Sequence, residues 1–304
     1  MGKVDALIVS MKDIESCLVC GADVFHTRYE STFSGTWEDA VPLFLTERIR
    51  AVHGRVLDCK ACGFVFTSPQ FDPDEYASIY ESVAQGTKSI AVSPAEKARF
   101  DDLARRVRRY VPPGRFLDLG CGKGNFHHGL KDDDGCGFEI SAHDELAFDD
   151  ARHIYTGNFS GFAGNALHSN SFDFVTAWDV LEHLAEPSEV MEGIAKILRP
   201  DGLFFCTLPN ISSVAARLSG GTWNCLLLEH LWYFDPKTLN QYLARYGFEQ
   251  LEISGLWFPA DVGTIANRLA QTYGWSAFRL PKLIERRVFS LPIGQMFAAY
   301  RWNG

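Results

Sequence analysis

From residue 115 onward, short apolar runs alternate with helical segments, and this alternation restricts the possible folds more than any other feature of the sequence. Each run is typical of a buried β-strand. The runs are 115–120, 135–140, 152–157, 172–180, 202–210, 248–258 and 292–302. Apolar strands that alternate with helices predict a mainly parallel sheet that is covered on both faces. We therefore expect an α/β fold for this part of the chain.

A helix is predicted directly before the first of these strands. Ser93 is expected to be its N-cap because Glu96 follows three residues later, and Pro94 suits the first helical position. Pro112 and Gly114 lie where the helix must stop. The stretch before it, 71–92, is interpreted as a helix and a loose linker, so a domain is expected to begin near residue 93.

The first predicted strand runs into FLDLGCGKGNF, in which three glycines at alternate positions follow an acid. A dinucleotide fingerprint requires G-x-G-x-x-G, and its third glycine is replaced here by Asn125. A phosphate loop requires Gly-Lys-Ser or Gly-Lys-Thr, whereas Lys123 is followed by Gly124. The pattern that remains, D-x-G-x-G-x-G, indicates the close approach of a ligand to bare backbone.

An amino-acid-like ligand would explain the acid in this loop. Asp118 can pair with the ammonium group of such a ligand, and S-adenosylmethionine carries that ammonium but no phosphate. Glu139 ends the next predicted strand, where a carboxylate can accept hydrogen bonds from both ribose hydroxyls. The sequence therefore predicts an S-adenosylmethionine site, with a structural glycine turn and a solvated Glu139 as the alternative.

Four of the eight cysteines occur in two CxxCG pairs, CLVCG and CKACG. In a cytosolic chain, pairs of this kind indicate a metal site rather than disulfides. Four thiolates fit a closed tetrahedral site, so the metal is predicted to be structural; zinc is expected, and iron is its chemical competitor. Unliganded thiols or a redox pair are the alternatives. The predicted ligands are Cys17, Cys20, Cys59 and Cys62.

Several motifs resemble those of class I S-adenosylmethionine-dependent methyltransferases: FLDLGCGKG, GFEIS, SFDFVTAWDVLEHLAEP, LRPDGLFFCTLPN and EHLWYFDPKTLNQYLARYGFE. The chain is most similar to bacterial members that carry an N-terminal zinc-binding segment and are associated with sugar and natural-product pathways. The resemblance implies a Rossmann-like sheet of seven strands whose last strand is antiparallel. It also implies three units: a zinc-ribbon-like module at 1–70, a helical linker at 71–92 and a methyltransferase domain at 93–304.

The resemblance extends the predicted cofactor site beyond the glycine loop. Many relatives carry an aspartate at the end of the third strand, where it reaches the adenine amino group. Asn158 stands at that position and can accept the same bond through its carbonyl oxygen. Asp179, at the end of the fourth strand, is expected beside the cofactor. The predicted cofactor-binding residues are Asp118, Gly120, Cys121, Gly122, Gly124, Glu139, Ile140, Asn158 and Asp179.

The first of two Glu-His pairs follows the fourth predicted strand. In ubiquinone-pathway O-methyltransferases an acid-x-x-Glu-His arrangement resembles this segment and can hold a divalent ion. By that resemblance the ligands of an ion here would be Asp179, Glu182 and His183. The alternative is that Glu182 and His183 organise the structure behind the cofactor.

The second Glu-His pair lies in the insertion after the fifth predicted strand, which faces the acceptor pocket in this fold. Sugar C-methyltransferases with a zinc segment have a similar pair that acts in proton abstraction. Glu229 and His230 are therefore predicted to be catalytic, with His230 as the first choice of base. Those enzymes also use tyrosines that follow the zinc module, and Tyr76 and Tyr80 match them. Simple packing between domains is the alternative for the two tyrosines.

These features together predict methyl transfer to a small molecule, and a hydroxyl of a sugar, nucleotide-linked or polymer-bound, is the expected acceptor. A carbon acceptor is the first alternative, although the sequence shows no counterpart of the C-terminal domain of the sugar C-methyltransferases. An RNA or protein methyltransferase with the zinc module as a reader is disfavoured by the formal net charge of −9, because phosphate binding favours a basic face. A non-catalytic binding protein is the third alternative.

No membrane span is predicted, because the sequence contains no run of 18 uncharged apolar residues. The first residues, MGKVDALIVSMKDIESC, place acids inside their apolar stretch and do not resemble a secretory signal. A cytoplasmic location is therefore expected.

Overall fold

The computed structural model describes residues 11–34, 37–40, 43–44, 52–73, 75–76, 78–79, 92–122, 124–139, 154–263, 266, 284 and 287–304. Two of the predicted site residues, Tyr80 and Ile140, lie outside these ranges, as does most of the predicted linker.

The strands follow one another along the chain as β1 (Met11–Lys12), β2 (Phe25–Tyr29), β3 (Val56–Cys59), β4 (Val65–Thr67), β5 (Gln70–Phe71), β6 (Arg115–Leu119), β7 (Asp134–Glu139), β8 (Ile154–Thr156), β9 (Phe172–Trp178), β10 (Leu198–Pro209), β11 (Trp232–Tyr233), β12 (Phe248–Asp261) and β13 (Val288–Trp302). The α-helices are α1 (Trp37–Ala40), α2 (Pro94–Val107), α3 (Phe159–Gly164), α4 (Pro187–Ile197), α5 (Val214–Ser219) and α6 (Pro236–Ala244). Short 3₁₀ turns lie at Asn125–Gly129, Leu181–His183 and Gly220–Thr222.

A seven-stranded sheet with the order β12-β13-β10-β9-β6-β7-β8 forms the larger part of the molecule. The strands from β6 to β10 pair in parallel. β13 is antiparallel to both of its neighbours, β10 and β12. The prediction of a Rossmann-like α/β sheet with an antiparallel last strand is therefore confirmed. The parallel strands end together at one edge, which is called the carboxyl edge below.

The central strands are buried on both faces because helices cover them from both sides. Neighbouring residues of β9, Phe174 and Val175, belong to two different clusters of the core, as expected for side chains that alternate across a strand. Leu103 of α2 packs in the cluster of Phe174, and Ile194 of α4 packs in the other. The predicted start of α2 is confirmed, since Ser93 and Glu96 form a reciprocal capping box.

The N-terminal residues form a four-stranded antiparallel sheet in the order β11-β4-β3-β2. β11 comes from the insertion after β10, so Trp232 pairs with Phe66 across the two predicted units. Aromatic rings pack at this joint: Phe64 lies 6.1 Å from Trp232 and 4.9 Å from Phe234 between ring centroids. The predicted units 1–70 and 93–304 therefore share one sheet.

Among the described residues, no helix has both the length and the apolar character that crossing a membrane would require.

Candidate active site

The four predicted metal ligands lie together in the N-terminal sheet. Their Sγ atoms are all within 4.8 Å of one another, and the Cys17–Cys62 and Cys20–Cys59 pairs are each 3.6 Å apart. Four thiolates around one zinc at about 2.3 Å would stand about 3.8 Å apart. The arrangement therefore fits a tetrahedral metal ion.

The backbone around the cysteines has the turns that such a site needs. Gly21 and Gly63 have φ angles of 75° and 83°, in the left-handed region that favours glycine. The amide of Phe64 donates to the sulfur of Cys62 over 3.4 Å. Burial raises the pKa of the Cys17 thiol to about 11, so a thiolate here depends on the charge of a bound cation.

The glycine loop begins where β6 reaches the carboxyl edge. Gly120, Gly122 and Gly124 all have positive φ angles, of 66°, 50° and 72°. A Cβ on Gly120 would stand 2.6 Å from Cγ2 of Val180, so this glycine allows the loop to approach the turn after β9. A Cβ on Gly122 would meet open space, which leaves bare backbone for a ligand.

Asp118 does not face this open space. Its side chain is 2% exposed, its Oδ1 accepts a 2.6 Å hydrogen bond from Thr176, and Oδ2 lies 3.8 Å from the ring of His127. Burial raises the pKa of Asp118 to about 7. The carboxyl group therefore links β6 to β9 beneath the loop, whereas the sequence predicted that it pairs with a ligand ammonium.

Two other predicted cofactor residues lie at the carboxyl edge and are more accessible. Glu139, at the end of β7, accepts a 2.9 Å hydrogen bond from the amide of Gly122. Asn158 is exposed and serves as the N-cap of α3, because its side-chain oxygen Oδ1 accepts a 2.8 Å hydrogen bond from the backbone amide of Ser160. Cys121, between the glycines, is buried, and burial raises the pKa of its thiol.

Asp179 follows β9 at the carboxyl edge and is held by two partners. One carboxylate oxygen accepts from Thr207 over 2.8 Å, and the other pairs with the guanidinium of Arg99 on α2. The φ angle of Asp179 is 55°, a conformation that aspartate tolerates better than most residues.

Arg99 was not identified from the sequence. Its guanidinium also lies over the ring of Phe258 at 5.1 Å. One signal was available, since Arg99 precedes the buried Leu103 and Val107 by four and eight residues and so shares the apolar face of α2. An arginine on a buried face requires an acidic partner.

Glu182, His183 and His230 form a cluster beside Asp179. Their ligand atoms all lie within 4.8 Å of one another. The imidazole rings of His183 and His230 are 4.5 Å apart between centroids and nearly perpendicular. Glu182 is 1% exposed, and neither of its carboxylate oxygens has a hydrogen-bond partner within the described part of the chain.

The hydrogen bonds of the two histidines define their tautomers. Nδ1 of His183 lies 3.0 Å from the carbonyl oxygen of Glu229, and Nδ1 of His230 lies 2.7 Å from that of Cys225. A carbonyl oxygen can only accept, so each Nδ1 carries the proton and each Nε2 keeps a lone pair. Burial lowers the pKa of His183 to about 4 and, together with His183, that of His230 to about 3.

The cluster differs from the ion site predicted on Asp179, Glu182 and His183. Asp179 is not among the donors that lie within 4.8 Å of one another, and its carboxylate pairs with Arg99 instead. His230, which the sequence had assigned to a separate role, takes its place. Burial and the charge of Asp179 raise the pKa of Glu182 well above its ordinary value.

Glu229 and Tyr76 contribute to this cluster through the backbone. The carbonyl oxygen of Glu229 accepts from His183, as described, and also from the hydroxyl of Tyr76. The ring of His230 is oriented by the carbonyl oxygen of Cys225. Tyr76 is 4% exposed and thus lies behind the cluster.

A family model described as "Methyltransferase domain" matches residues 95–253. The chain is 29% identical to the ubiquinone biosynthesis O-methyltransferase of Azoarcus sp. (strain BH72), over 54% of this chain and 87% of that protein. It is also 29% identical to the protein of the same name from Thiobacillus denitrificans, over 55% of this chain and 88% of that protein.

Solved methyltransferase structures are also similar. One is the 1,6-didemethyltoxoflavin-N1-methyltransferase of Burkholderia thailandensis, determined with 1,6-didemethyltoxoflavin and S-adenosylhomocysteine bound. The similarity has a TM-score of 0.49 at 14% identity and covers 81% of this chain and 98% of that one.

Proposed function

This chain belongs to the methyltransferase-domain family and is an S-adenosylmethionine-dependent methyltransferase, and we propose that it methylates a hydroxyl oxygen of a small molecule. S-adenosylmethionine supplies an activated methyl group on its sulfonium. The protein must hold the acceptor oxygen close to that methyl carbon and take up the proton that the hydroxyl loses.

We assign cofactor binding to the glycine loop and the adjoining ends of β7, β8 and β9. The open space at Gly122 leaves room for a ligand against the backbone. Glu139 stands at the rim of this loop, where a carboxylate would accept the ribose hydroxyls. Asp118 contributes indirectly, because its bond to Thr176 fixes the strand from which the loop departs.

The observation that carries the proposal is the pair of neutral imidazoles beside this loop. Both rings are uncharged at neutral pH. The Nδ1–H of His230 is fixed by the carbonyl oxygen of Cys225, so its Nε2 carries the lone pair that can accept a proton. His230 is assigned as the base, with His183 as its neighbour. A negative charge on Glu182 would stabilise the imidazolium that forms.

The same three donors also suit a divalent cation. Glu182, His183 and His230 would be its ligands, and the carbonyl oxygens that hold both Nδ1–H groups would orient the imidazoles. Two imidazoles and one carboxylate match a transition-metal ion better than Mg²⁺, which prefers oxygen ligands. Such an ion would supply Lewis-acid polarisation of the acceptor hydroxyl.

The metal at the four cysteines is assigned as zinc with a structural role. The spacing of the sulfur atoms fits a Zn–S₄ tetrahedron, and the four thiolates leave no coordination position for a substrate. The ligands are Cys17, Cys20, Cys59 and Cys62.

Two classes of acceptor follow from the sequence and the relatives. The motifs predicted a sugar hydroxyl, nucleotide-linked or polymer-bound, and the relatives carry the name of ubiquinone biosynthesis O-methyltransferases. Methylation of carbon remains the alternative chemistry. A reader function of the zinc module for RNA is disfavoured, because one edge of its sheet is paired with β11 and the chain is acidic.

The test is a transfer assay with S-adenosylmethionine labelled on the methyl group. Two acceptor panels are offered, nucleotide-linked sugars and hydroxylated intermediates of ubiquinone biosynthesis. We expect labelled methoxy product and an equal amount of S-adenosylhomocysteine with members of one panel. His230→Ala should abolish most of the transfer, while His128→Ala, at an exposed histidine, serves as the control.

The assay separates the alternatives. A label that NMR locates on carbon would replace the proposed O-methylation by C-methylation. Transfer only to RNA or protein, offered in parallel reactions, would support the reader function. Tight binding of S-adenosylhomocysteine without transfer to either panel would contradict the proposed acceptor classes.

A further inference from the structure

The segment that carries His230 is hydrogen-bonded to the N-terminal module. The amide of Thr67 donates to the carbonyl oxygen of Leu231 over 2.9 Å, and the Thr67 hydroxyl donates to the carbonyl oxygen of His230 over 3.1 Å. The side-chain amide of Gln70 also reaches Leu231, at 3.5 Å. Backbone on one side of the cluster is thus fixed by the last residue of β4 and by Gln70 of β5.

The segment that carries His230 is also hydrogen-bonded to the turn after β9. The amide of Leu231 donates to the carbonyl oxygen of Glu182 over 2.7 Å. His183 and Tyr76 both donate to the carbonyl oxygen of Glu229. Residues 229–231 therefore lie between the turn after β9 and the N-terminal module, with hydrogen bonds to both.

The cysteine site is connected to these bonds by a short path along β4, whose three residues are all buried. Cys59 ends β3 and Cys62 precedes β4, so the four sulfurs hold the turn between these two strands. Thr67 is the last residue of β4 and is 4% exposed. A metal that holds the turn between β3 and β4 would therefore also fix the strand on which residues 230–233 are aligned.

We propose that the cysteine-bound metal positions the catalytic cluster, with Thr67 and Tyr76 as positioning residues that act through the backbone of residues 229–231. The zinc module is then part of the acceptor site and not a separate reader. This inference rests on the proposed function only for the catalytic role of the cluster. The cofactor site is built on β6, β7, β8 and β9, which within the described part of the chain make no strand pair with the module, so it should not depend on the metal.

The size of the effect follows from the geometry of the bonds. Loss of one buried hydrogen bond to a backbone carbonyl oxygen reduces local stability enough to speed amide exchange roughly tenfold. A displacement of about 1 Å at a reacting group can lower the rate about 100-fold. A variant that speeds amide exchange at residues 229–231 should therefore also have a lower turnover.

The experiment measures hydrogen exchange of the peptide that spans residues 226–233, with S-adenosylhomocysteine affinity from calorimetry. Thr67→Val and Tyr76→Phe each remove one hydroxyl and leave all four cysteines in place. Thr27→Val, on the outer strand β2, and Tyr300→Phe, whose buried hydroxyl has no hydrogen-bond partner among the described residues, are the matched controls. The imidazole ¹⁵N signals of His230, identified by their loss in His230→Gln, report the ring directly.

We expect roughly tenfold faster exchange at residues 229–231 and shifted ¹⁵N signals of His230 in both test variants. Removal of the metal by a chelator should produce the same changes in larger measure. Affinity for S-adenosylhomocysteine should change less than twofold, and the two controls should match the wild type.

Unchanged exchange and unchanged ¹⁵N signals in Thr67→Val, Tyr76→Phe and the metal-free protein would overturn the inference. Equal changes in the two controls would overturn it as well, because the effect would then not be specific to residues 229–231. These outcomes do not depend on the acceptor, so a failure here is distinct from a failure of the proposed O-methylation.

Discussion

Replacement of Glu182 by methionine should make the protein more stable and less active. Glu182 is almost completely buried, and neither carboxylate oxygen has a hydrogen-bond partner among the described residues. Methionine has a similar length and fills the same space without polar atoms. The buried carboxyl group beside the two histidines lowers the free energy of unfolding, because it is desolvated without a partner. The substitution removes this cost.

The magnitude can be worked from the cost of an unsatisfied buried group. A buried polar group without a partner costs about 1–3 kcal/mol, and a charged group costs more. Glu182→Met should raise the free energy of unfolding by about that amount. For a domain of this size each kcal/mol corresponds to roughly 2–4 °C in Tm, so the midpoint should rise by roughly 2–12 °C.

The pH dependence gives a second check on the same reasoning. Burial and Asp179 raise the pKa of Glu182 above its unfolded value, so the folded state binds more protons than the unfolded state above about pH 4.5. The free energy of unfolding of the wild type therefore falls as the pH rises above about 4.5. That of the Glu182→Met variant does not fall for this reason, because the titrating carboxyl group is absent. The gain from Glu182→Met should be larger at pH 8 than at pH 5.

Urea unfolding at the two pH values measures the effect, and Glu252→Met is the matched control. Glu252 accepts hydrogen bonds from Tyr110 and Ser254 and pairs with Arg109, so its loss should destabilise the protein. A lower stability of Glu182→Met would refute the reasoning. It would show that the carboxylate has a partner, such as a cation bound with His183 and His230.

Three further predictions concern the cofactor, the base and the metal. Gly120→Val should remove measurable S-adenosylhomocysteine binding in calorimetry, because a side chain would collide with Val180 and oppose a φ of 66°; retained affinity would argue against the glycine loop as the site. His230→Ala should lower turnover by roughly 10²–10⁴ while the affinity for the cofactor stays nearly unchanged. In the wild type, kcat should stay level down to about pH 5, because the pKa of His230 is lowered to about 3. A fall of kcat below about pH 6.5 would indicate an ordinary solvated histidine. Elemental analysis should find one zinc per chain, lost in Cys20→Ser, and a metal-free protein of normal stability would contradict the assignment.

The parallel strands could be predicted because their signal is local. The run 172–180 corresponds to Phe172–Trp178, and the run 115–120 to Arg115–Leu119. In both cases a continuous apolar stretch meets a turn or an acid at its end, so the sequence itself defines the strand. The cysteine site could be predicted from the sequence equally well, since metal ligands follow fixed short spacings.

The arrangement of the catalytic cluster could not be predicted in the same way. His183 and His230 are far apart in sequence, and the segment of His230 is held by the hydrogen bond from Leu231 to Glu182 and by β11, a strand of two residues that pairs with β4. Such a short strand has no periodicity that would reveal its partner or register. Asp179 was expected beside the cofactor, and its ion pair with Arg99 is a tertiary contact that the sequence analysis did not identify.

The position of β13 between β10 and β12 has a consequence for synthesis on the ribosome. Both neighbours precede β13 in the chain, so each must wait with an open edge until the later strand emerges. β10 is apolar and almost entirely buried from Leu203 to Pro209, and an unpaired strand of this kind readily pairs with other chains. Nascent chains stalled before residue 288 should therefore bind chaperones strongly and aggregate when released, whereas chains that have extruded Trp302 can close the sheet.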